Sequence, residues 1–248
     1  MERVAVYSIS LGCPKNRVDT EVMLGSLGSA FVPAASVDQS DVVLINTCSF
    51  IEAAVEESAQ VILETASEIA ELDPRPLLVV TGCLPSRYGA ELAWELPEVD
   101  AWIPLEAQSD WAGIVLERLR SSEQRQEVPD RQRVMPAGRE RVLSTGPGMA
   151  YLKISEGCNH TCSFCIIPRL RGPLRSRSLD SLVAEAGGLV DRGVRELCLV
   201  AQDVGAFGSD KGPGNHLQDL ISSLCNLEGL HWLRLMYLYP SGINEGLL

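Results

Sequence analysis

Short apolar runs alternate with longer amphipathic stretches through the first 120 residues. Three runs rich in Val, Ile and Leu end at turn-forming residues, as buried parallel strands do, and they span Val4–Leu11, Asp41–Ile45 and Leu77–Val80. Asp19–Leu27 and Ile51–Leu72 carry apolar residues at helical spacing. This β-α-β-α-β order predicts an open parallel α/β sheet, continued by a helix at Glu91–Leu96, a strand at Val99–Ile103 and a helix at Ala107–Leu119.

The same alternation returns after residue 148. Strands are predicted at Tyr151–Ile154, Glu196–Ala201 and Trp232–Leu238, with helices at Ser181–Asp191 and Leu217–Leu227 between them. Such alternation builds a β/α barrel, whose sites lie at the carboxyl ends of the strands. The predicted fold is therefore α/β: an open parallel sheet domain at residues 1–120 and part of a barrel at residues 149–248.

The stretch between these domains, residues 121–148, loses the periodic pattern. Pro, Gly and Arg alternate there without apolar spacing, which predicts a long connector. We expect most of its arginines to form a solvated face; they are Arg125, Arg131, Arg133, Arg139 and Arg141.

Three cysteines of the first domain each follow a predicted strand. They are Cys13, Cys48 and Cys83. Ligands of open α/β sheets bind at the carboxyl ends of the strands, so these thiols are expected to converge on one site. The alternative is that all three are small buried core residues.

A second trio of thiols, Cys158, Cys162 and Cys165, has the spacing C-x3-C-x2-C directly after Gly157. Three thiolates can hold three irons of a four-iron cluster and leave the fourth iron open to a small molecule. A zinc site using His160 is the alternative, but no second pair of ligands follows at zinc-ribbon spacing. A disulfide is disfavoured because the chain shows no export signal.

Polar residues also follow the second strand of the predicted barrel. Gln202 and Asp203 are candidates to bind polar groups of a cofactor, with a capping or turn role as the alternative. Cys198 and Cys225 are interpreted as core or neutral residues.

Charge is unevenly distributed along the chain. The formal net charge is −12, and residues 1–110 alone carry 18 acidic and 5 basic side chains. This excess argues against a generic nucleic-acid binder and favours a basic protein partner, although it could equally serve solubility. No apolar run reaches the roughly 20 residues of a membrane span, and without a signal peptide the expected compartment is the cytoplasm.

The segment C-N-H-T-C-S-F-C-I-I-P at Cys158–Pro168 resembles the loop of radical S-adenosylmethionine enzymes. The segment S-L-G-C-P-K-N-R-V-D-T-E at Ser10–Glu21 resembles the start of methylthiotransferases, which combine an N-terminal cluster domain with a radical S-adenosylmethionine barrel. Its G-C-P-K-N sequence is similar to the RimO-type branch, which modifies an aspartate of a small-subunit ribosomal protein (protein twelve). Leu152–His160 and Trp232–Pro240 agree with that branch.

The resemblance implies two 4Fe–4S clusters and S-adenosylmethionine as cofactors. Cys13, Cys48 and Cys83 would hold an auxiliary cluster, Cys158, Cys162 and Cys165 the radical cluster, and Phe164 would line the adenine pocket. One S-adenosylmethionine would supply the methyl group, and a second would yield the 5′-deoxyadenosyl radical that removes hydrogen from the aspartate β-carbon. The implied partners are the basic ribosomal protein and a reductant protein, with no membrane and with nucleic acid only indirectly, through the ribosome.

The resemblance also bears on how much of the family's activity this sequence can support. Family members continue through the rest of the barrel and a small C-terminal β-barrel (TRAM) domain, both of which lie outside this sequence, so we expect both sets of cluster ligands but not the turnover of a full-length enzyme. The alternatives are a tRNA methylthiotransferase (MiaB-type) and a non-catalytic iron–sulfur or zinc scaffold.

Overall fold

The computed structural model describes residues 3–120, 141–214, 216–243 and 245–247. These residues form two compact units, one comprising 3–120 with 141–142 and the other comprising the described residues from 143 onward. The predicted division into 1–120, 121–148 and 149–248 stays a prediction, and residues 121–140 of the predicted connector lie outside the described residues. Within the described ranges, no helix is both long and apolar enough to cross a membrane.

The first unit is built on a five-stranded parallel sheet. Its strands are β1 (Val4–Ser10), β2 (Phe31–Pro33), β3 (Val42–Thr47), β4 (Leu77–Gly82) and β5 (Ala101–Pro104). They lie in the order β2-β1-β3-β4-β5, and every neighbouring pair is parallel. The predicted open parallel sheet is confirmed, and the structure adds the short edge strand β2, which was not predicted.

Five helices accompany this sheet: α1 (Pro14–Ser26), α2 (Glu52–Ala70), α3 (Cys83–Tyr88), α4 (Ala90–Glu95) and α5 (Trp111–Arg120). Helix α1 begins at Pro14, five residues before the predicted Asp19. Proline is favoured in the first turn of a helix, because the backbone N–H that it lacks would have no partner within the helix there. A 3₁₀ turn at Leu105–Asp110 replaces the first part of the predicted 107–119 helix. The six-residue helix α3 was not predicted.

Both faces of the sheet are covered, which explains the uninterrupted apolar runs of its central strands. Every residue of β3 is buried. Val42 and Leu44 pack into one core with α1 and α5, whereas Val43 and Ile45 pack into a second core with α2. This alternation follows the two-residue period of a strand.

Most of the connector arginines were expected on a solvated face, which stays a prediction because four of the five lie outside the described residues. The fifth, Arg141, is buried. Its guanidinium pairs with Glu21 of α1 at 2.8 Å, and both side chains are 1% exposed. The backbone N–H of Val142 also donates to the Glu21 carbonyl at 3.0 Å. The sequence gives no local signal for this pairing, because its partner lies 120 residues earlier.

The second unit contains a three-stranded parallel sheet. Its strands are β6 (Met149–Lys153), β9 (Glu196–Val200) and β10 (Trp232–Leu235), and helices α7 (Leu179–Asp191) and α8 (His216–Cys225) connect them. The strands lie in the order β10-β9-β6. Leu152 and Leu199 of the sheet pack with Leu182 of α7 and Leu220 of α8 in one core. The predicted strand–helix alternation of a partial barrel is therefore confirmed.

Three short elements of this unit were not predicted. The two-residue strands β7 (Ser155–Glu156) and β8 (Arg175–Ser176) pair antiparallel, and α6 (Ile167–Arg171) lies between them in the chain. They enclose the second cysteine motif.

Candidate metal centres

The first three cysteines lie at one edge of the parallel sheet. Cys13 precedes α1, Cys48 follows β3, and Cys83 is the first residue of α3, directly after β4. The strands end level with one another, since Ser10 lies opposite Asn46 and Asn46 opposite Thr81. The sheet thus carries all three thiols at its carboxyl edge, as the sequence predicts.

The backbone segments that bear these thiols touch one another. Gly12 has a φ of +83°, and a Cβ placed on it would lie 2.5 Å from the Cys48 Cβ and 3.0 Å from its Sγ. Gly82 has a φ of +101°, and a Cβ on it would lie 2.5 Å from the Thr47 carbonyl oxygen. Two glycines therefore permit an approach that any side chain would prevent.

A buried hydrogen-bond network fixes this edge. The Asn16 Nδ2 donates to the carbonyls of Leu11 at 3.2 Å and Thr47 at 2.8 Å. The Asn46 Nδ2 donates to the Asn16 carbonyl at 2.8 Å and to the Thr20 hydroxyl at 2.9 Å. The turns after β1 and β3 are thereby joined through two amides.

Cys48 is held by α2 as well. The Ser58 hydroxyl donates to the Cys48 carbonyl at 2.8 Å and accepts from the Cys48 N–H at 3.3 Å. Cys48 and Cys83 are buried, Cys13 is half-buried, and none of the three forms a disulfide. Three thiols outside any disulfide, on a largely buried edge, are a donor set that suits an iron–sulfur cluster.

The second trio follows a turn that only glycine can make. Gly157 has a φ of +74°, and a Cβ on it would lie 2.1 Å from the Pro173 carbonyl oxygen. The Cys158 N–H donates to the Gly172 carbonyl at 3.1 Å, and the Cys165 N–H donates to the Cys162 carbonyl at 3.1 Å. Cys162 is exposed, while Cys158 and Cys165 are half-buried.

A buried ionic cluster ties the two ends of this cysteine loop together. Glu156, two residues before Cys158, binds Lys153 at 2.9 Å and Arg171 of α6 at 3.0 Å. Burial alone would raise the pKa of the Glu156 carboxyl, but the charges of Arg171 and Lys153 outweigh it and hold that pKa well below its usual range. The carboxylate therefore stays ionised and bridges the two cations.

The sequence reasoning missed a further contact, between His160 and Asp203. The His160 Nε2 lies 2.7 Å from the Asp203 Oδ2, and the Asp203 Oδ1 accepts from the Gly205 N–H at 2.9 Å. The Tyr239 ring packs 5.5 Å from the His160 ring, centroid to centroid. Desolvation and the negative charge of the Cys162, Asp203 and Cys158 side chains raise the pKa of the Tyr239 phenol.

A cavity of about 150 Å³ opens beside this contact. Its lining includes Cys158, His160, Leu174 and Asp203. Gln202 is half-buried next to Asp203, and Phe164 is 88% exposed beside Cys165. The structure therefore brings Asp203 to the cysteine loop and leaves the Phe164 ring open to solvent.

In the described ranges, no three His, Cys, Asp or Glu side chains are grouped to hold a single metal ion. A four-iron cluster makes a different demand, because each thiolate binds an iron of its own. Cys198 is buried in β9, as predicted for a core residue, and Cys225 is exposed at the end of α8.

Two family models match the chain. Uncharacterized protein family UPF0004 matches residues 5–104, and the Radical SAM superfamily matches residues 152–233. The ribosomal protein uS12 methylthiotransferase RimO of Nitratidesulfovibrio vulgaris (strain DP4) is 53% identical over 246 residues, covering 99% of this chain and 54% of that protein. The chain belongs to the methylthiotransferase family of radical S-adenosylmethionine enzymes. The resemblance drawn from the cysteine motifs is thereby confirmed.

Further methylthiotransferases agree with this assignment. The RimO proteins of Oleidesulfovibrio alaskensis and Syntrophus aciditrophicus are 50% and 46% identical, covering 99% and 100% of this chain and 54% and 55% of theirs. The chain spans about half the length of these curated relatives.

A solved structure has the same fold. The radical S-adenosylmethionine methyltransferase TsrM of Kitasatospora setae, solved with cobalamin and a 4Fe–4S cluster bound, matches with a TM-score of 0.63 at 13% identity, covering 100% of this chain and 56% of TsrM.

Proposed function

We propose that this chain is the cluster-binding part of a methylthiotransferase that adds a methylthio group to the β-carbon of an aspartate in ribosomal protein uS12. The observation that carries the proposal is the 53% identity, over 99% of the chain, to a relative named as a uS12 methylthiotransferase. Support comes from the two cysteine trios, which lie at the ends of strands in separate units.

Each trio would hold one 4Fe–4S cluster: Cys13, Cys48 and Cys83 the auxiliary cluster, and Cys158, Cys162 and Cys165 the radical cluster. When bound, such clusters supply the electron that cleaves S-adenosylmethionine and an open iron at which sulfur can be held. The chain contributes three ligands to each, so that one position stays open. The C–H bond of the aspartate β-carbon is too weakly acidic for a general base to deprotonate at neutral pH, so a radical route is required.

The cavity beside Cys158 is the proposed position for polar groups of S-adenosylmethionine. Asp203 lines this cavity, so its carboxylate is placed to accept hydrogen bonds from amino or hydroxyl groups there. Gln202, the preceding residue, is the second proposed contact. Phe164 presents an exposed ring on which the adenine could stack. The first unit's acidic excess fits a basic substrate protein, and a reductant protein of the cytoplasm would deliver the electron.

The first test is the metal content after anaerobic reconstitution of the chain. We expect on the order of eight irons and eight sulfides per chain, because two cubane clusters each contain four of both. We also expect S-adenosylmethionine to be cleaved when dithionite is added. One zinc without sulfide would contradict the radical mechanism.

Substrate choice is tested by supplying the reconstituted chain in stoichiometric amounts, so that a single turnover is enough. We expect mass spectrometry to find the methylthio group on an aspartate of uS12 and none on tRNA. Modification of tRNA with none on uS12 would replace this proposal with the tRNA-modifying branch.

A further inference from the structure

The loop between Cys158 and Cys162 is tied to the end of β9 by two side chains. The His160 Nε2 lies 2.7 Å from the Asp203 Oδ2, which is hydrogen-bond distance. The other oxygen of Asp203 accepts from the Gly205 N–H at 2.9 Å. The Asp203 side chain is 9% exposed. Its carboxylate is therefore held in place by its own loop and also contacts the His160 ring.

The backbone of His160 reaches the sulfur of the first cysteine. The His160 backbone N–H donates a hydrogen bond to the Cys158 Sγ, at an N···S distance of 3.4 Å. Hydrogen bonds to the sulfurs of an iron–sulfur cluster help to set its reduction potential. A donor stabilises the state with more negative charge, so this bond favours the reduced cluster.

The segment that carries this N–H packs little against the rest of the protein. Residues 159–164 are all exposed. Asn159 is tied by its Oδ1, which accepts from the Leu174 N–H at 2.9 Å, and His160 is tied by Asp203. The His160 ring also packs against Tyr239. The orientation of the His160 N–H therefore depends on where its ring is held.

We infer that Asp203 is a positioning residue, which acts through His160 to keep the His160 backbone N–H on the Cys158 sulfur and so raises the reduction potential of the cluster held by the second trio. The inference rests on the proposed function, because the sulfur matters as a cluster ligand. It gives Asp203 a role that exists before any S-adenosylmethionine is bound.

The first experiment needs no metal. Amide hydrogen exchange over residues 158–165 is measured in the iron-free chain for His160→Ala, Asp203→Ala and the double variant. We expect faster exchange, to the same extent in all three, because either change releases one shared anchor. His160→Gln, which keeps a donor near the Nε2 position, should restore protection, and Thr161→Ala, an exposed neighbour, is the matched control.

The second experiment measures the potential of one cluster. In the chain with Cys13, Cys48 and Cys83 replaced by Ala, the reduction potential is determined by electron paramagnetic resonance without S-adenosylmethionine. We expect His160→Ala and Asp203→Ala each to lower the reduced-to-oxidised ratio at a fixed potential about tenfold, a shift of 59 mV for a one-electron couple. The double variant should match either single one, and His160→Gln should recover the parent value.

The outcomes separate the two ideas. Unchanged potentials, or losses that add in the double variant, would overturn the inference, since Asp203 and His160 would then act independently. If the background chain itself binds no iron, the proposed function fails instead, and the exchange experiment alone decides whether the anchor exists. Unchanged exchange in both single variants would overturn the anchor in either case.

Discussion

Gly12 is a residue at which a single added methyl group would press directly on a cysteine of the first trio. A Cβ there would lie 2.5 Å from the Cys48 Cβ. Gly12→Ala should destabilise the first unit by about 1–2 kcal/mol from the left-handed backbone and a further ~1–3 kcal/mol from overpacking. We also expect it to lose the iron of the first trio, because Cys48 must move away. Urea unfolding and iron content measure the two effects.

The matched control is Gly28→Ala. Gly28 also has a positive φ, +55°, but a Cβ on it would meet nothing within 4 Å. It should therefore show the backbone effect alone and keep full iron content. Equal iron loss in both variants would contradict the argument that contact with Cys48 is what matters.

At the scale of elements, the ionic contact between Glu156 of β7 and Arg171 of α6 joins the two ends of the second cysteine loop. Glu156→Gln would leave Lys153 and Arg171 buried without the carboxylate they share, which should destabilise the second unit by about 3–5 kcal/mol. Chemical denaturation of the iron-free chain measures this. Glu196→Gln is the control, because Glu196 pairs with the exposed Arg234 and should change the midpoint far less. A comparable shift in both variants would mean that burial of the Glu156 cluster contributes nothing.

The secondary-structure elements differ in how well the sequence predicts them. The long strands and helices were predictable because apolar runs such as β3 and the helical spacing of α2 are local signals. The strand-end position of Cys13, Cys48 and Cys83 followed from parallel topology alone. Short elements such as β2, β7 and α6 were not predictable, since two to five residues carry too little periodicity.

The side-chain contacts that complete the sites could not be predicted from the sequence, for a different reason. His160 and Asp203 are 43 residues apart, and Glu21 and Arg141 are 120 apart. Each residue by itself has an ordinary solvated or turn interpretation. Only the folded chain shows that they meet, so a charge placed in a connector, such as Arg141, can be a buried partner.

At the scale of the whole molecule, the two trios belong to separate compact units, and each should assemble without the other. Replacing Cys13, Cys48 and Cys83 by Ala should leave on the order of four irons per chain, and replacing Cys158, Cys162 and Cys165 should do the same. Cys225→Ala, which alters an exposed thiol outside both trios, should leave all of the iron in place.

The same separation predicts different losses of chemistry. Cys162→Ala should abolish reductive cleavage of S-adenosylmethionine, because the proposed function assigns the radical cluster to the second trio. Cys48→Ala should retain cleavage and lose methylthio transfer, since it would remove only the proposed auxiliary cluster. The measurements are 5′-deoxyadenosine formation and the mass of uS12 under single-turnover conditions. If both variants lost cleavage equally, the six cysteines would have to serve one shared centre, and the assignment of one cluster to each unit would be wrong.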